Sequence, residues 1–191
     1  MKNQINIEEI LKIIDGIEGW LSHYEQFALL HLPGLVDHIE GDIVEIGSYK
    51  GKSTVALGIG SQLMSKQKKL IYTIDPFNKY YDEHYYQDFL NNLKSNNLEK
   101  YVIPIKKLST EAYNECPKEI AALFIDGDHE YSSVQHDINH YASRVLSGGI
   151  IAFHDYIHHW PGVQKAIDEF YNNGDYEYIG LYYSLLLLRK K

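Results

Sequence analysis

The sequence predicts an α/β fold in which a mostly parallel sheet is covered by helices on both faces and closed by an antiparallel hairpin. Three observations predict it. Extended runs alternate with helix-period segments from about residue 42 to residue 171. Those extended runs are nearly continuously apolar, as strands buried on both faces are. The chain then ends in two extended runs close enough to pair as a hairpin. With 191 residues and 45% hydrophobic content, one core and one domain are expected, residues 1–40 forming a helical cap on a core of residues 41–191.

Taken in order, apolar residues recur at helical spacing from Ile7 to about His38 (Ile10, Leu11, Ile14, then Phe27, Leu29, Leu30). Gly16 and Gly19 break the run, so two helices are predicted there. A strand over Asp42 to Gly47 is followed by a helix from Lys52 to about Lys66, the first half of a βαβ unit. The alternation continues with a strand over Leu70 to Asp75, a helix over about Asp82 to Asn96, a strand over Val102 to Ile105 and a short helix near Thr110. Next come a strand over Ala121 to Asp126, a helix over Tyr131 to Val145, the Gly148-Gly149 break and a strand over Ile150 to His154. A helix over Val163 to Tyr171 leads through the Asn172 to Asp175 turn to extended runs at Tyr176 to Tyr183 and Leu185 to Arg189. The apolar Leu185 to Leu188 suits either a subunit contact in a homo-oligomer or strand burial.

Composition narrows the partners. A formal charge of −8 with two arginines argues against a nucleic-acid binder, which gathers positive charge into a patch. A single cysteine, Cys116, cannot form an intrachain disulfide, which suits a reducing compartment. Residues 1–9 lack the apolar core of a signal peptide, and no apolar run approaches the ~20 residues that span a bilayer. A soluble, cytoplasmic protein without a membrane partner is expected. Among 17 tyrosines, Tyr80, Tyr81, Tyr85 and Tyr86 cluster, as pocket lining or as half-buried surface.

Gly47-Ser48-Tyr49-Lys50-Gly51-Lys52-Ser53 joins a strand to a helix, where backbone N–H groups and the helix dipole favour an electron-rich ligand. The phosphate-loop motif needs four residues between its first glycine and Gly-Lys-Ser, and here there are three. The dinucleotide fingerprint fails as well, because Ser48 and Tyr49 stand where a pyrophosphate needs close backbone approach. Glu45 near the end of the first strand repels a triphosphate but accepts from an ammonium or hydroxyl. Asp75 ends the second strand, where doubly wound folds place an acid on a ribose diol. Together the two acids describe an adenosyl amino acid; the alternative is a tight turn in which Glu45 and Asp75 cap neighbouring helices.

Val44 to Ser53 resembles the first motif of class I S-adenosylmethionine-dependent O-methyltransferases. The resemblance extends through Ile74-Asp75, Phe124 to His129 and Gly148 to Tyr156, so that it covers about residues 41 to 157 in order. These motifs are similar to the metal-assisted small-molecule subgroup, including catechol, caffeoyl-coenzyme A and macrolide-sugar O-methyltransferases. Gly19-Trp20-Leu21 followed by Glu25 is similar to the lead-in helix of small bacterial members. The resemblance implies a Rossmann-like, seven-stranded sheet with a reversed last strand. It also implies S-adenosylmethionine as cofactor, held by Glu45, Gly47, Ser48, Tyr49, Gly51, Ser53, Asp75 and Asp126. Ser109 either approaches the adenine, by the same resemblance, or caps the helix beginning at Thr110.

A parallel sheet brings Asp126, at the end of the fourth strand, and His154 and Asp155, at the end of the fifth, to one edge beside the glycine loop. Two carboxylates and an imidazole can bind a divalent metal, Mg2+ or Mn2+, which would hold substrate oxygens and lower a hydroxyl's pKa. The resembled subgroup has metal ligands at the positions of Asp126, His154 and Asp155, but usually a carboxylate where this chain has His154. Magnesium prefers oxygen ligands, so the histidine favours a softer ion or turns away. His129 lies where the resembled enzymes carry a lysine or histidine base, and its intrinsic pKa suits proton removal; Asp128 is the alternative. His158, His159 and Trp160 either rim an acceptor pocket or form a polar loop. The implied activity is metal-assisted O-methylation of a small-molecule or sugar hydroxyl, with Asp126 and His129 in catalysis. The residues alone leave open an adenosyl-site relative with other chemistry, such as an aminopropyl transferase or hydroxylase-like protein, or a non-catalytic scaffold.

Overall fold

The computed structural model describes residues 6–77 and 84–191. Its elements run α1 (Ile7–Asp15), α2 (His23–Leu35), β1 (Asp42–Ile46), α3 (Lys52–Met64), β2 (Ile71–Ile74), α4 (Tyr85–Ser95), β3 (Val102–Ile105), α5 (Ser109–Ala112), β4 (Ile120–Ile125), α6 (Tyr131–Tyr141), β5 (Val145–Phe153), α7 (Pro161–Tyr171), β6 (Tyr176–Tyr182) and β7 (Leu185–Lys190). The start of the helix predicted from Asp82, together with Tyr80 and Tyr81, lies outside the described residues.

The seven strands form one sheet in the order β3-β2-β1-β4-β5-β7-β6. β1 to β5 pair in parallel, and β7 inserts antiparallel between β5 and β6. This is the mostly parallel sheet with a reversed final strand that the sequence predicts. Strand alternation divides the core into two layers. Ile43, Phe124, Ile150 and Leu187 face α1 to α4, and Val44, Ile46, Ile125 and Phe153 face α5 to α7. Each such aliphatic or aromatic side chain contributes roughly 1.5 to 3 kcal/mol on burial.

Two predicted boundaries shift. β5 begins at Val145, not Ile150, and runs through the double glycine, with a register irregularity against β4. A Cβ on Gly149 would lie 2.8 Å from the carbonyl oxygen of Ala121, so the pair marks a bulge inside the strand and not its start. The Leu185 to Leu188 run is buried between β5 and β6, which makes it strand core and removes it as a subunit contact. Among the described residues no helix is long and apolar enough to cross a membrane.

Candidate functional site

The register Ile74↔Ile46↔Ile125↔Phe153 aligns the carboxyl ends of β2, β1, β4 and β5, so the residues that follow emerge side by side: Asp75, Gly47, Asp126 and His154. Backbone bonds continue one step past the strands, from Gly47 N to Ile74 O (2.8 Å), Asp126 N to Ile46 O (2.8 Å) and His154 N to Ile125 O (3.0 Å). Gly47, at φ +88°, lies so close to the next strand end that a Cβ would sit 1.9 Å from the Asp126 carbonyl oxygen. The glycine loop and the acid–histidine cluster therefore share one wall.

On the loop side, Asp75 organises the backbone. Its Oδ2 accepts from Ser48 N (3.0 Å) and Tyr49 N (2.9 Å), and its Oδ1 accepts from Phe77 N (2.8 Å) and the Tyr85 hydroxyl (2.9 Å). The sequence reading gives Asp75 to a ribose or to a helix cap beside a tight turn; the structure gives it this loop-fixing role first. Tyr49 adopts φ +46° within the loop, and its hydroxyl donates to Glu18 at 2.9 Å. Gly51, in the left-handed conformation, is the N-cap of α3. Ser48 Oγ pairs with Thr73 Oγ1, and Ser53 stands in the first turn of α3.

Glu45 is a correction. The sequence turns its carboxylate toward the ligand, yet the side chain has no exposed surface and Oε2 accepts from Thr54 and Thr73, each at 2.6 Å. Strand alternation points residue 45 to the α3 side, so the acid ties β1 to β2 and to the first turn of α3. Burial, against the hydroxyl donors, pushes its pKa up to about 7 from 4.5. The folded state thus keeps a proton that the unfolded chain releases near pH 4.5. Stability from this group is fullest below that pH and is lost as pH rises through about 7, by about 3 kcal/mol in all. Urea midpoints are expected to fall between pH 6 and pH 8, and Glu45→Gln to flatten most of that fall; an unchanged slope in the variant would refute the assignment.

Ser109 is the first residue of α5, with Leu108 as its N-cap, so it does not cap a helix starting at Thr110. Its hydroxyl instead meets the buried Asp137 of α6, whose pKa burial pushes up to about 6.

On the cluster side, His154 is 7% exposed. Its Nδ1 lies 3.0 Å from Asp126 Oδ1 and 3.1 Å from Asp155 Oδ2, and its Nε2 lies 3.4 Å from Glu25 Oε1. Neither ring nitrogen makes a well-aligned hydrogen bond. Asp155 sits in the left-handed region at φ +59°, a strained conformation for a non-glycine residue that turns its carboxylate back toward Asp126. Burial alone would lower the His154 pKa, but Asp126, Asp155 and Glu25 push it up to about 12. Burial would raise Glu25, but His154 and Ser184 pull it down to about 2. Asp155 is held well below the usual carboxylate range by His129 and His154 against its burial, whereas burial outweighs the pull of His154 and raises Asp126. Three carboxylates around one imidazole leave surplus negative charge.

One ligand atom from each of Asp126, His154 and Asp155 falls within a 4.8 Å group. A hydrogen-bonded imidazole would point its N–H at one oxygen. Here Nδ1 stands between two oxygens, buried and bonded to neither, and the donor spacing of about 3 Å is what cis ligands at ~2.1 Å from one ion require. The residues fit a divalent cation.

His129 Nε2 faces Asp155 Oδ2 at 2.8 Å, and its ring stacks on Trp160 with centroids 3.9 Å apart. Its pKa is raised, chiefly by the Asp155 hydrogen bond against burial. Trp160, itself 39% exposed, thus joins the site through this stack; His158 and His159 are exposed as well. Asp128 accepts from His129 N and from Ser133 Oγ at 2.8 and 2.7 Å, which braces the start of α6 and leaves it poorly placed as a base.

A residue beside the cluster that the sequence reading names only in the lead-in helix, without a site role, is Glu25. It forms a capping box with Ser22 at the start of α2, and its other oxygen accepts from Ser184 in the β6–β7 turn and faces His154. Ser-x-x-Glu is legible as a cap, but nothing in the sequence places it beside residue 154.

The comparisons agree with this architecture. Residues 44–156 match the family described as "Methyltransferase domain". The uncharacterized protein R132 of Acanthamoeba polyphaga mimivirus is 32% identical over 191 residues, covering 89% of this chain and 80% of the relative. The O-methyltransferase from Bacillus cereus in complex with SAH is similar with a TM-score of 0.73 at 16% identity, covering 100% of this chain and 94% of that one. The O-methyltransferase NovP is similar with a TM-score of 0.74 at 16% identity, covering 88% and 80%. The chain belongs to the methyltransferase-domain family, and the class of enzyme its motifs resemble, an S-adenosylmethionine-dependent methyltransferase, is the class into which it falls.

Proposed function

We propose that the protein transfers the methyl group of S-adenosylmethionine to a hydroxyl of a small molecule or sugar, with a divalent cation at Asp126, His154 and Asp155 and with His129 receiving the acceptor's proton. The observation that carries this reading is the shared wall: Gly47 of the cofactor loop packs on the backbone of Asp126, whose side chain belongs to the acid–histidine cluster. The two O-methyltransferases of the same fold support oxygen as the acceptor atom.

The loop from Gly47 to Gly51, with Ser53, would hold the methionine end at the N-terminus of α3. Asp75 would take the ribose; of its four donors among the described residues, one, the Tyr85 hydroxyl, comes from a side chain, so that is the one a ribose hydroxyl can replace. Asp126 and Ser109 would border the adenosyl group. The cofactor supplies an electrophilic sulfonium methyl, and a bound cation lowers the pKa of an acceptor hydroxyl. An oxygen–methyl bond forms as the sulfur–methyl bond breaks, and the hydroxyl proton passes to the protein.

For His129, the carboxylate of Asp155 at Nε2 favours the tautomer that leaves Nδ1 as acceptor, and the Trp160 ring fixes the plane of the imidazole. His129→Gln is expected to lower kcat by about 10²- to 10⁴-fold with cofactor affinity kept. An unchanged kcat would remove His129 from the reaction.

The reading is tested by incubating the protein with S-adenosylmethionine, Mn2+ or Mg2+, and a panel of catechols and nucleotide sugars. Metal-dependent formation of S-adenosylhomocysteine and a methylated acceptor is expected. Methylthioadenosine as product would indicate transfer of the aminocarboxypropyl group instead, and its formation only from the decarboxylated cofactor would indicate aminopropyl transfer.

A further inference from the structure

Glu25 lies in the helical segment ahead of the sheet, well apart in sequence from every motif of the site, yet it is 1% exposed and its carboxylate is fixed from two directions. Ser22 N donates to Oε2 at 2.7 Å within the α2 cap. The backbone N–H of Ser184 donates to Oε1 at 3.1 Å, and the Ser184 hydroxyl donates to the same oxygen. A helix cap and a hairpin turn thus hold Oε1 at 3.4 Å from His154 Nε2. The capping box uses Oε2 alone, so the anchoring of Oε1 by Ser184 is additional to the cap. On the other side of the ring, the buried Nδ1 lies between Asp126 and Asp155 without a hydrogen bond to either.

Without a cation the three carboxylates hold the ring protonated at both nitrogens; a cation at Nδ1 would displace the proton there and leave a neutral imidazole with one. A carboxylate facing Nε2 keeps the proton there and leaves the Nδ1 lone pair directed at the two aspartates. This is the carboxylate–histidine–metal arrangement, in which the outer acid sets the tautomer and orientation of the ligand. We propose that Glu25 is a positioning residue that, through His154 Nε2, presents Nδ1 as the nitrogen ligand of a cation shared with Asp126 and Asp155, and that this site prefers a first-row transition ion such as Mn2+ over Mg2+. The inference rests on the metal reading given above and deepens it. The preference follows from the donors, since Mg2+ favours all-oxygen coordination while imidazole nitrogen binds first-row transition ions.

The test uses the full-length protein with Mn2+ followed by electron paramagnetic resonance, with Mg2+ as competitor and ¹⁴N modulation as the signature of a bound imidazole. The wild type is expected to bind Mn2+ at least about tenfold more tightly than Mg2+ and to show the nitrogen signal. His154→Asp should retain a metal, lose the nitrogen signal and bring the two ions to similar affinity. Glu25→Gln should weaken Mn2+ binding by about 10- to 100-fold and alter the nitrogen coupling, which a merely structural role would not move. If Glu25→Gln does not fold, Ser184→Ala keeps the glutamate but removes one of its anchors and should weaken Mn2+ binding by a smaller factor. Wild-type affinity and coupling in both Glu25→Gln and Ser184→Ala, with loss of Mn2+ in Asp126→Asn, would overturn the role of Glu25 while leaving the metal site standing. Equal affinity of the wild type for both ions would overturn the preference. No binding of either ion by the wild type would overturn the inference together with the metal reading.

Discussion

Asp126→Asn is expected to abolish measurable methyl transfer, with kcat/KM down at least about 10³-fold and Mn2+ affinity down at least about 10²-fold. The substitution is nearly isosteric, and the contact that joins β1 to β4 here uses the Asp126 carbonyl oxygen and backbone N–H, which asparagine keeps. The fold should therefore survive. What disappears is one of the two carboxylates within about 3 Å of His154 Nδ1, and with it an anionic oxygen facing the proposed cation. Initial rates of S-adenosylhomocysteine formation and Mn2+ titration check the two effects separately. A variant with wild-type turnover would remove Asp126 from the chemistry.

Gly47→Ala should damage stability and cofactor binding together. A methyl group there would lie 1.9 Å from the Asp126 carbonyl oxygen and 2.6 Å from its carbon, and the backbone is at φ +88°, where side chains are strained. Backbone atoms in a central strand pair cannot turn aside as a flexible side chain can, so the ends of β1 and β4 must separate. A loss of about 3 to 5 kcal/mol is expected, or roughly 6 to 20 °C in Tm for a domain of this size. S-adenosylmethionine binding should fall at least tenfold in whatever fraction stays folded, because the amides of Ser48 and Tyr49 are held to Asp75 by this same turn. Denaturant unfolding and calorimetry measure the two losses. A variant with unchanged Tm would show that the close approach is not required.

These effects trace to features of different legibility. The sheet was readable because β4 and the Ile150–Phe153 half of β5 are unbroken apolar runs and β1 is apolar except at Asp42 and Glu45, with the polar residues of the site following their ends. The start of β5 was not, since Gly148-Gly149 reads as a break when only local propensity is weighed, and the bulge exists because Gly149 meets Ala121 on a neighbouring strand. Asp126, His154 and Asp155 could be placed together because strand order in a parallel sheet implies it. Side-chain direction was harder: Glu45 reads as a ligand by position, but strand alternation sends it under α3, to Thr54 and Thr73. Asp75 has four donors among the described residues that only the folded loop reveals. Glu25 was hidden most completely, because its local pattern is already explained by the α2 cap and its second partner, Ser184, is 159 residues away.

The central claim, that the Gly47–Gly51 loop and Asp75 form an S-adenosylmethionine site, is tested most directly by calorimetric titration of the cofactor into the wild type and into Asp75→Asn. Asparagine keeps the size of the side chain but loses an acceptor for donors now bonded to the carboxylate, so binding to the wild type and a loss of about tenfold or more in the variant are predicted. No binding to the wild type, with or without Mn2+, would contradict the account.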